Sequence, residues 1–537
     1  MPLRKDCDVL IVGAGPIGLT CALLLRDLGH EVHVLERHAE HYKQPRAVGI
    51  YHQGVRAFEA LGLLEELFRT QAFQDIRGHV SDFMEIVGAD GEILSRHQFN
   101  STESRSGRQM SFAMHQPTLE SVLEEACGNR GVHIRRGIEV TGVSDRGDDV
   151  EVDISRTFRA EGKLESAGTV TASFVIGCDG ANSIVRKSAG IEFHPLQGAD
   201  SRWLVVDVIP QPPGPRSPWK DASVGRQYLN NGRSRTSVPS SLTRRRWEWM
   251  VHPSESTESA MDESFIWGLL EEFDCNPNNA TMERSTVYPL KGGWANDFVK
   301  GRIALAGDAA HLAPQFLGQG LNSGLRDAKA LCWRLDFALK HPQSNWPKAL
   351  QDYSNEQLGT TKTFVMAAVG LEKLFTVTDP VQARARDEML KMAGRPPPNL
   401  ERLGAPGMYV ASSGQDEYPP ADEPGSLFIQ GWVEFEGKEG LFDVVVGTGW
   451  MLLGRGPDEA IAPLSPELVQ KYFTILNGRS VTFGNQRCKD VTGRYSEWFK
   501  TNDAVAVLVR PDYYIFGVAK SADEIGGLVN RAVDHLS

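Results

Sequence analysis

The seven cysteines, at positions 7, 21, 127, 178, 275, 332 and 488, include no Cys-x-x-Cys pair and keep no regular interval. That spacing excludes a dithiol redox motif and a zinc knuckle, and it argues against a disulfide framework. Each cysteine reads as an isolated buried thiol of a reducing, cytoplasmic compartment, and no metal site is expected. Positive charge is scarce as well: Lys and Arg number 57 against 69 Asp and Glu, a formal net charge of −12. Nucleic acid and anionic membrane are therefore disfavoured as partners. No apolar run approaches the roughly 18–20 residues that span a bilayer. The start, MPLRKDCDVLIVGAG, passes from Arg4 and Lys5 into a strand pattern, without a signal peptide's apolar segment and cleavage site. Repeats and low-complexity tracts are missing too. What is there is a chain of 537 residues, 41% hydrophobic and 23% charged. That is an ordinary globular composition, too long for one core, and two or three domains are expected.

The first positive signal is a glycine motif in its proper setting. Asp8 to Val12 has a buried-strand pattern, Gly13-Ala14-Gly15-Pro16-Ile17-Gly18 follows, and a helix is expected over 19–28. A second strand, Val32 to Leu35, ends at Glu36, beside Arg37. Strand, G-x-G-x-x-G, helix and an acid about 20 residues on make a dinucleotide fingerprint. Gly13 makes the turn, Gly15 admits the pyrophosphate, Gly18 lets helix and strand pack closely, and Glu36 suits a ribose 2′-hydroxyl. The acid disfavours a 2′-phosphate, so the bound dinucleotide is FAD or NAD rather than NADP.

The second signal is the stretch 301–327, GRIALAGDAAHLAPQFLGQGLNSGLRD. A short strand, Ile303 to Leu305, turns through Gly307-Asp308; Gly318, Gly320 and Gly324 follow, and a helix is expected from Ser323. Glycines this dense let backbone approach a bound group, and a helix start offers unpaired N–H groups to an anion. Asp308 suits a sugar-like hydroxyl. With one Rossmann turn taking the ADP half, this distant stretch would receive the rest of the cofactor, which favours FAD. Arg46, just after the second strand, is placed near phosphates or flavin, and Gln116, before a helix expected from about 117, near the ribityl chain. Between the two signals, residues 132–155 read as a strand meander, and Phe174 to Ile176 as a strand ending at Asp179-Gly180, where Asp179 serves either the cofactor or the next helix as its cap. Residues 200–290 alternate or carry aromatics, as in WLVVDVIP, RQYLNN and RRRWEWMVHP, and suggest a sheet over the flavin; Trp247 and Trp249 suit either an aromatic ligand or plain core.

Taken in order, Gly13-x-Gly15-x-x-Gly18 with Glu36, Cys178-Asp179-Gly180-Ala181-Asn182-Ser183-x-Val185-Arg186, and Gly307-Asp308-Ala309-Ala310-His311-x-x-Pro314 to Gly318-Gln319-Gly320-Leu321-Asn322-x-Gly324 resemble the FAD-dependent aromatic hydroxylases of the para-hydroxybenzoate hydroxylase type. Pro45-Arg46-Ala47-Val48-Gly49-Ile50 and Arg246-Trp247-Glu248-Trp249-Met250 resemble the branch of phenol 2-monooxygenase and 3-(3-hydroxyphenyl)propionate hydroxylase. The resemblance implies that Asp179 meets the cofactor or the nicotinamide groove, that Asp308 binds the ribityl chain, and that the N–H groups of Leu321 and Asn322 face the flavin's pyrimidine edge. It places Pro314 at the reactive edge, with Arg46 and Gln116 at cofactor-contacting positions. Where the branch often has Pro-Pro-Phe, this chain has Pro314-Gln315-Phe316. The implied reaction is NAD(P)H- and O2-dependent hydroxylation of a phenol through a flavin C4a-hydroperoxide, as in aromatic catabolism. His52, Tyr228 and Arg108 are candidates for meeting the ring hydroxyl. An epoxidase or halogenase, or a monooxygenase acting on a larger aromatic natural product, is the alternative. The run Trp247 to Pro253 comes close to a halogenase W-x-W-x-I-P pattern, with His252 interrupting it.

The expected fold is α/β, α+β overall. A Rossmann-like FAD-binding domain occupies 1–190 and 296–395, a substrate sheet is inserted at 191–295, and a small α/β unit spans 396–537. Amphipathic helices are read at 328–339 and 346–371, and RPPPNLERLGAPGMYV as a linker. The unit beyond resembles the thioredoxin-like C-terminal domain of the same branch. Having Cys488 alone, it suits a structural or homodimer-contact role rather than redox chemistry.

Overall fold

The computed structural model describes residues 5–74, 83–98, 104–158, 163–196, 201–212, 219, 224–230, 232–241, 244–393, 422–456, 458–484 and 487–537. Its organising sheet is parallel at the centre. Cys7–Val12 pairs in parallel with Val32–Glu36 on one side and with Lys163–Gly177 on the other. Beyond these lie His133–Arg136 and Ile303–Leu305, also parallel. Val9, Leu10 and Ile11 are wholly buried, as central parallel strands covered on both faces must be. Helix Pro16–Asp27 packs between Gln116–Asn129 and the long helix Gln319–Lys340. Strands Ile138–Asp145 and Val150–Phe158 form the expected antiparallel meander against Lys163–Gly177.

The second sheet has seven strands, in the order Ala280–Pro289, Arg202–Pro210, Arg245–Val251, Arg235–Pro239, Gly225–Tyr228, Phe83–Val87 and Ile93–Gln98. The last two come from residues 83–98, outside the 191–295 block. Because side chains alternate across a strand, this sheet has two distinct faces. Trp247, Trp249, Tyr228, Leu204 and Val206 join Ile266, Leu270 and Phe273 in one apolar cluster under helix Glu263–Leu270. The opposite face carries Trp203, Asp207, Arg246, Glu248, Met250, Arg284 and Tyr288, and Trp203 meets Phe316 of the first domain edge-on at 5.2 Å.

The C-terminal unit holds a small three-stranded sheet, Lys438–Leu441, Trp432–Phe435 and Cys488–Asp490, and a four-stranded one. Met451–Arg455 runs parallel to Arg479–Phe483 across helix Pro466–Ile475, and antiparallel to Ala506–Val509, which is followed by Ile515–Ala519 and helix Ala522–Leu536. Leu452, Leu508 and Phe516 pack with those helices and with Trp333 and Phe337 of the long helix. A buried ionic cluster adds to this contact. Glu356 accepts from Arg334 at 2.8 Å and from Arg510 at 2.9 and 2.8 Å, and Asp512 accepts from Arg510 and from Trp333 Nε1 at 3.0 Å. The proline-rich 395–410 stretch lies outside the described residues. Among those described, no helix is long and apolar enough to cross a membrane.

Candidate active site

Two glycine-lined cradles stand where the parallel sheet meets its helices. In the first, Gly13 has φ +108°, and a Cβ there would lie 2.4 Å from the Cys178 carbonyl oxygen. A Cβ on Gly18 would lie 2.0 Å from the Gly13 oxygen, so helix and turn touch through it. Gly15 is different: a Cβ there meets nothing within 4 Å. It precedes a helix that opens with Pro16 and has neither a side-chain cap nor an acid in its first turn. Glu36 closes this cradle, its carboxylate oriented by the N–H of Ala14 at 3.0 Å and of His38 at 2.8 Å. Arg37 is exposed and among the described residues reaches His38, at 3.3 Å.

The second cradle follows Ile303–Leu305. Gly307 (φ +62°) donates to Asp327 Oδ2 at 2.9 Å, which also lies 2.7 Å from His311 Nε2. Asp308 is exposed, with no hydrogen bond among the described residues. Gly318 (φ +59°) begins the long helix at Gln319, four residues before the expected Ser323. That start has no side-chain cap and no acid in its first turn. The N–H groups of Gln319, Gly320 and Leu321 are thus left without intrahelical partners. These donors include Leu321 of the expected pair and begin two residues before it. The Asn322 side chain instead braces the turn, accepting from Tyr51 N and donating to the Gly318 carbonyl, both at 2.8 Å. A Cβ on Gly320 again meets nothing within 4 Å. Two open surfaces, each at an uncapped helix start, with carboxylates beside them, fit the phosphates, sugar hydroxyls and electron-accepting edge of FAD.

Other expected residues are tied into the scaffold. Gln116 accepts from Ala47 N at 2.8 Å and donates to Glu120 at 2.7 Å, so it braces the 45–47 loop. Arg46 keeps its side chain half-exposed, 3.8 Å from Glu120. Asp179 accepts from Ser183 Oγ at 2.5 Å and from Ile184 N and Val185 N at 2.7 and 3.1 Å, the geometry of a cap for helix Ile184–Ser188. Cys332 Sγ donates to the Cys21 carbonyl oxygen at 3.7 Å in the core.

The candidates for the ring hydroxyl do not converge. Tyr228 lies on the sheet face turned towards Phe273, with the Arg235 guanidinium 4.5 Å from its ring. Arg108 pairs with Glu59. His52 is buried 2.8 Å from Ser106 Oγ, and burial together with nearby Arg56 lowers its pKa to about 3. Pro314 is buried at the head of the turn Gln315–Leu317 that leads into the long helix. Across from that turn stand Arg246 and Glu248, which the sequence reading quoted only within a family-like run and gave no site role. Arg246 binds both oxygens of Asp207 at 2.8 and 2.7 Å, and also the carbonyls of Arg46 and Pro45 at 2.5 and 3.1 Å. Arg284 donates to the Pro45 carbonyl as well. Glu248, 5% exposed, accepts from Gln315 Nε2 at 3.2 Å, and burial raises its carboxyl pKa. The alternation Arg246, Glu248, Met250 against Trp247, Trp249 was the available signal. What it lacked was which face meets the cofactor domain.

Residues 6–368 match the family model described as FAD binding domain, and 425–533 match the HcaD C-terminal domain. A "Probable NADH-specific resorcinol 4-hydroxylase" of Rhodococcus jostii (strain RHA1) is 33% identical over 99% of this chain and 95% of its own length. The chain belongs to the FAD-dependent aromatic hydroxylases. A 3-(3-hydroxy-phenyl)propionate/3-hydroxycinnamic acid hydroxylase of Mycobacterium avium (strain 104) is 28% identical over 98% of this chain and 92% of its own. Among solved structures, the flavin-dependent monooxygenase PieE, in complex with FAD and substrate, shares the fold with a TM-score of 0.76 at 21% identity, covering 99% of this chain and 100% of that one. Aklavinone-11 hydroxylase shares it with a TM-score of 0.77 at 20% identity, covering 99% of both chains.

Proposed function

We propose that this chain hydroxylates a phenolic aromatic, with O2 as oxidant and NADH or NADPH as the source of electrons. The observation that carries the reading is the pairing of two Cβ-free surfaces, at Gly15 and Gly320, with a polar sheet face closing over Pro314–Phe316. Bound FAD supplies the redox chemistry, taking hydride from the nicotinamide and activating oxygen for transfer to the ring. The residues of the chain hold and shield it. Gly15 and the helix start at Pro16 would receive the pyrophosphate, and Glu36 a ribose hydroxyl. Asp308 would take the ribityl chain. The N–H groups at 319–321 would stabilise the negative charge that reduction places on the flavin's pyrimidine edge. Trp203, Met250 and Phe316 make the apolar wall that keeps water from the reacting ring.

In this reading residues 1–190 and 296–395 form the FAD-binding domain. The sheet at 191–295, completed by the strands within 83–98, covers the substrate. The four-stranded sheet of the C-terminal unit, with its β-α-β half, the connecting helix Arg494–Thr501 and its β-β-α half, supports a thioredoxin-like fold with a structural role. The Rhodococcus relative is NADH-specific by name, so NADH is the first reductant to try. The test follows NADH and NADPH oxidation by the FAD-loaded protein across a panel of phenols, with product mass and peroxide recorded together. The expected outcome is a substrate-stimulated rate and a product heavier by one oxygen atom. Peroxide alone, with every phenol, would refute hydroxylation of simple phenols.

A further inference from the structure

The charged groups on the cofactor-facing side of the sheet differ in how far they are already satisfied. Arg246 is spent on Asp207 and on two carbonyls of the 45–46 loop, whereas Arg284 donates to the Pro45 carbonyl and keeps its Nε buried without a partner among the described residues. Glu248 is only partly satisfied. Its Oε2 accepts from Gln315 Nε2 at 3.2 Å, and among the described residues Oε1 has no hydrogen-bond donor. Gln315 Oε1 is buried without a partner. Two neighbouring acceptors thus lack donors at the turn leading to the helix start that would meet the flavin. Unsatisfied acceptors in a buried setting are costly, and most are matched by a ligand, a water or a protein donor. The ligand they suit carries two O–H donors.

We propose that Glu248 and Gln315 form an acceptor pair for the two hydroxyl groups of a dihydroxybenzene, and that Gln315 sets the preference for the second hydroxyl. This rests on the hydroxylase reading. A proline at 315, as in the Pro-Pro-Phe form of the branch, would supply no side-chain acceptor and leave Glu248 Oε2 unoccupied. A hydrogen bond from a ring hydroxyl to the Glu248 carboxylate pushes charge onto the ring and makes its ortho and para carbons better nucleophiles. Burial raises the Glu248 carboxyl pKa, so this carboxylate is a stronger proton acceptor than an exposed one. Asp207, Arg246, Arg284 and Tyr288 face the same side and set the local field.

The FAD-loaded full-length protein is titrated with resorcinol and with 3-methylphenol, in which a methyl replaces one hydroxyl, and binding is read from the flavin absorbance. Resorcinol should bind at least ~10-fold more tightly, since a site built for a hydroxyl is left with an unpaired group by the analogue lacking it. Gln315→Pro should bring the two ligands within ~3-fold of each other. The substitution suits the backbone: Pro314 is extended at ψ 149°, and position 315 opens its short helix, where proline is tolerated. Equal binding of both ligands by the unaltered protein overturns the proposal, as does a gap that survives Gln315→Pro. Should that variant not fold, the gap in the unaltered protein and its loss in Gln315→Leu decide the matter. NADH oxidation and product mass are recorded in the same samples. Discrimination without an oxygenated product would sink the hydroxylase reading and leave the acceptor pair standing; an oxygenated product without discrimination would do the reverse.

Discussion

His52 shows how burial overrides chemical aptitude at the scale of one residue. An imidazole in a loop before a helix suits proton transfer, but here it sits 3% exposed against Ser106, near Arg56, with its pKa lowered to about 3. The unfolded chain protonates this ring near its ordinary value of about 6.5, while the folded chain does not. Between about 6.5 and 3 the unfolded state therefore binds the extra proton, and stability falls as pH is lowered through that window. His115, lowered to about 4, contributes with the same sign. Thermal unfolding scans from pH 7 to 4 should show this decline, and His52→Gln should flatten the slope without abolishing it. An unchanged slope would mean that His52 is not the buried neutral ring described here. The same residue marks a limit of the sequence, where nothing local reports that residues near 106 and 430 close over position 52.

Glycines divide the cofactor elements into those that hold the fold and those that leave room. Gly18 joins helix to turn, and a Cβ there would drive into the Gly13 carbonyl at 2.0 Å. Gly18→Ala should cost about 1–3 kcal/mol of stability. Gly15 has ordinary angles, φ −77° and ψ 179°, and open space beyond its Cα. Gly15→Val should leave stability of the FAD-free protein within about 0.5 kcal/mol while weakening FAD binding, as differential scanning and flavin titration would show. This division was legible from the strand, motif and acid spacing, which local chemistry fixes. The start of the long helix was less so. Gly320, Asn322 and Ser323 are poor helix formers, yet the helix begins at Gln319, held by Asn322 and by contacts distant in sequence. Likewise, strands show which residues share a face but not which face meets a partner. That is why Trp247 and Trp249 drew attention and Glu248 did not. Of the two sheet strands at 83–98, Phe83–Val87 pairs with residues some 140 positions away, at Gly225–Tyr228, a distance over which local pattern carries no information.

At the scale of the whole molecule, the C-terminal unit is fastened by apolar packing and by the Arg334–Glu356–Arg510–Asp512 cluster, whose side chains are at most 2% exposed. Removing one member leaves uncompensated charge in the interior. Glu356→Ala should therefore cost about 3–5 kcal/mol, measured as a lowered unfolding midpoint; a loss within about 0.5 kcal/mol would show the cluster to be incidental. The long helix gives this fastening a mechanical meaning. Its first turn is the open end near Gly320, and Arg334 lies about 21 Å further along the same rod, at ~1.5 Å per residue. A rod clamped at its far end acts as a lever arm. A small tilt at Arg334 becomes a displacement of the very N–H groups that would touch the flavin, so the aim of the cofactor site is set partly from a region that never approaches it.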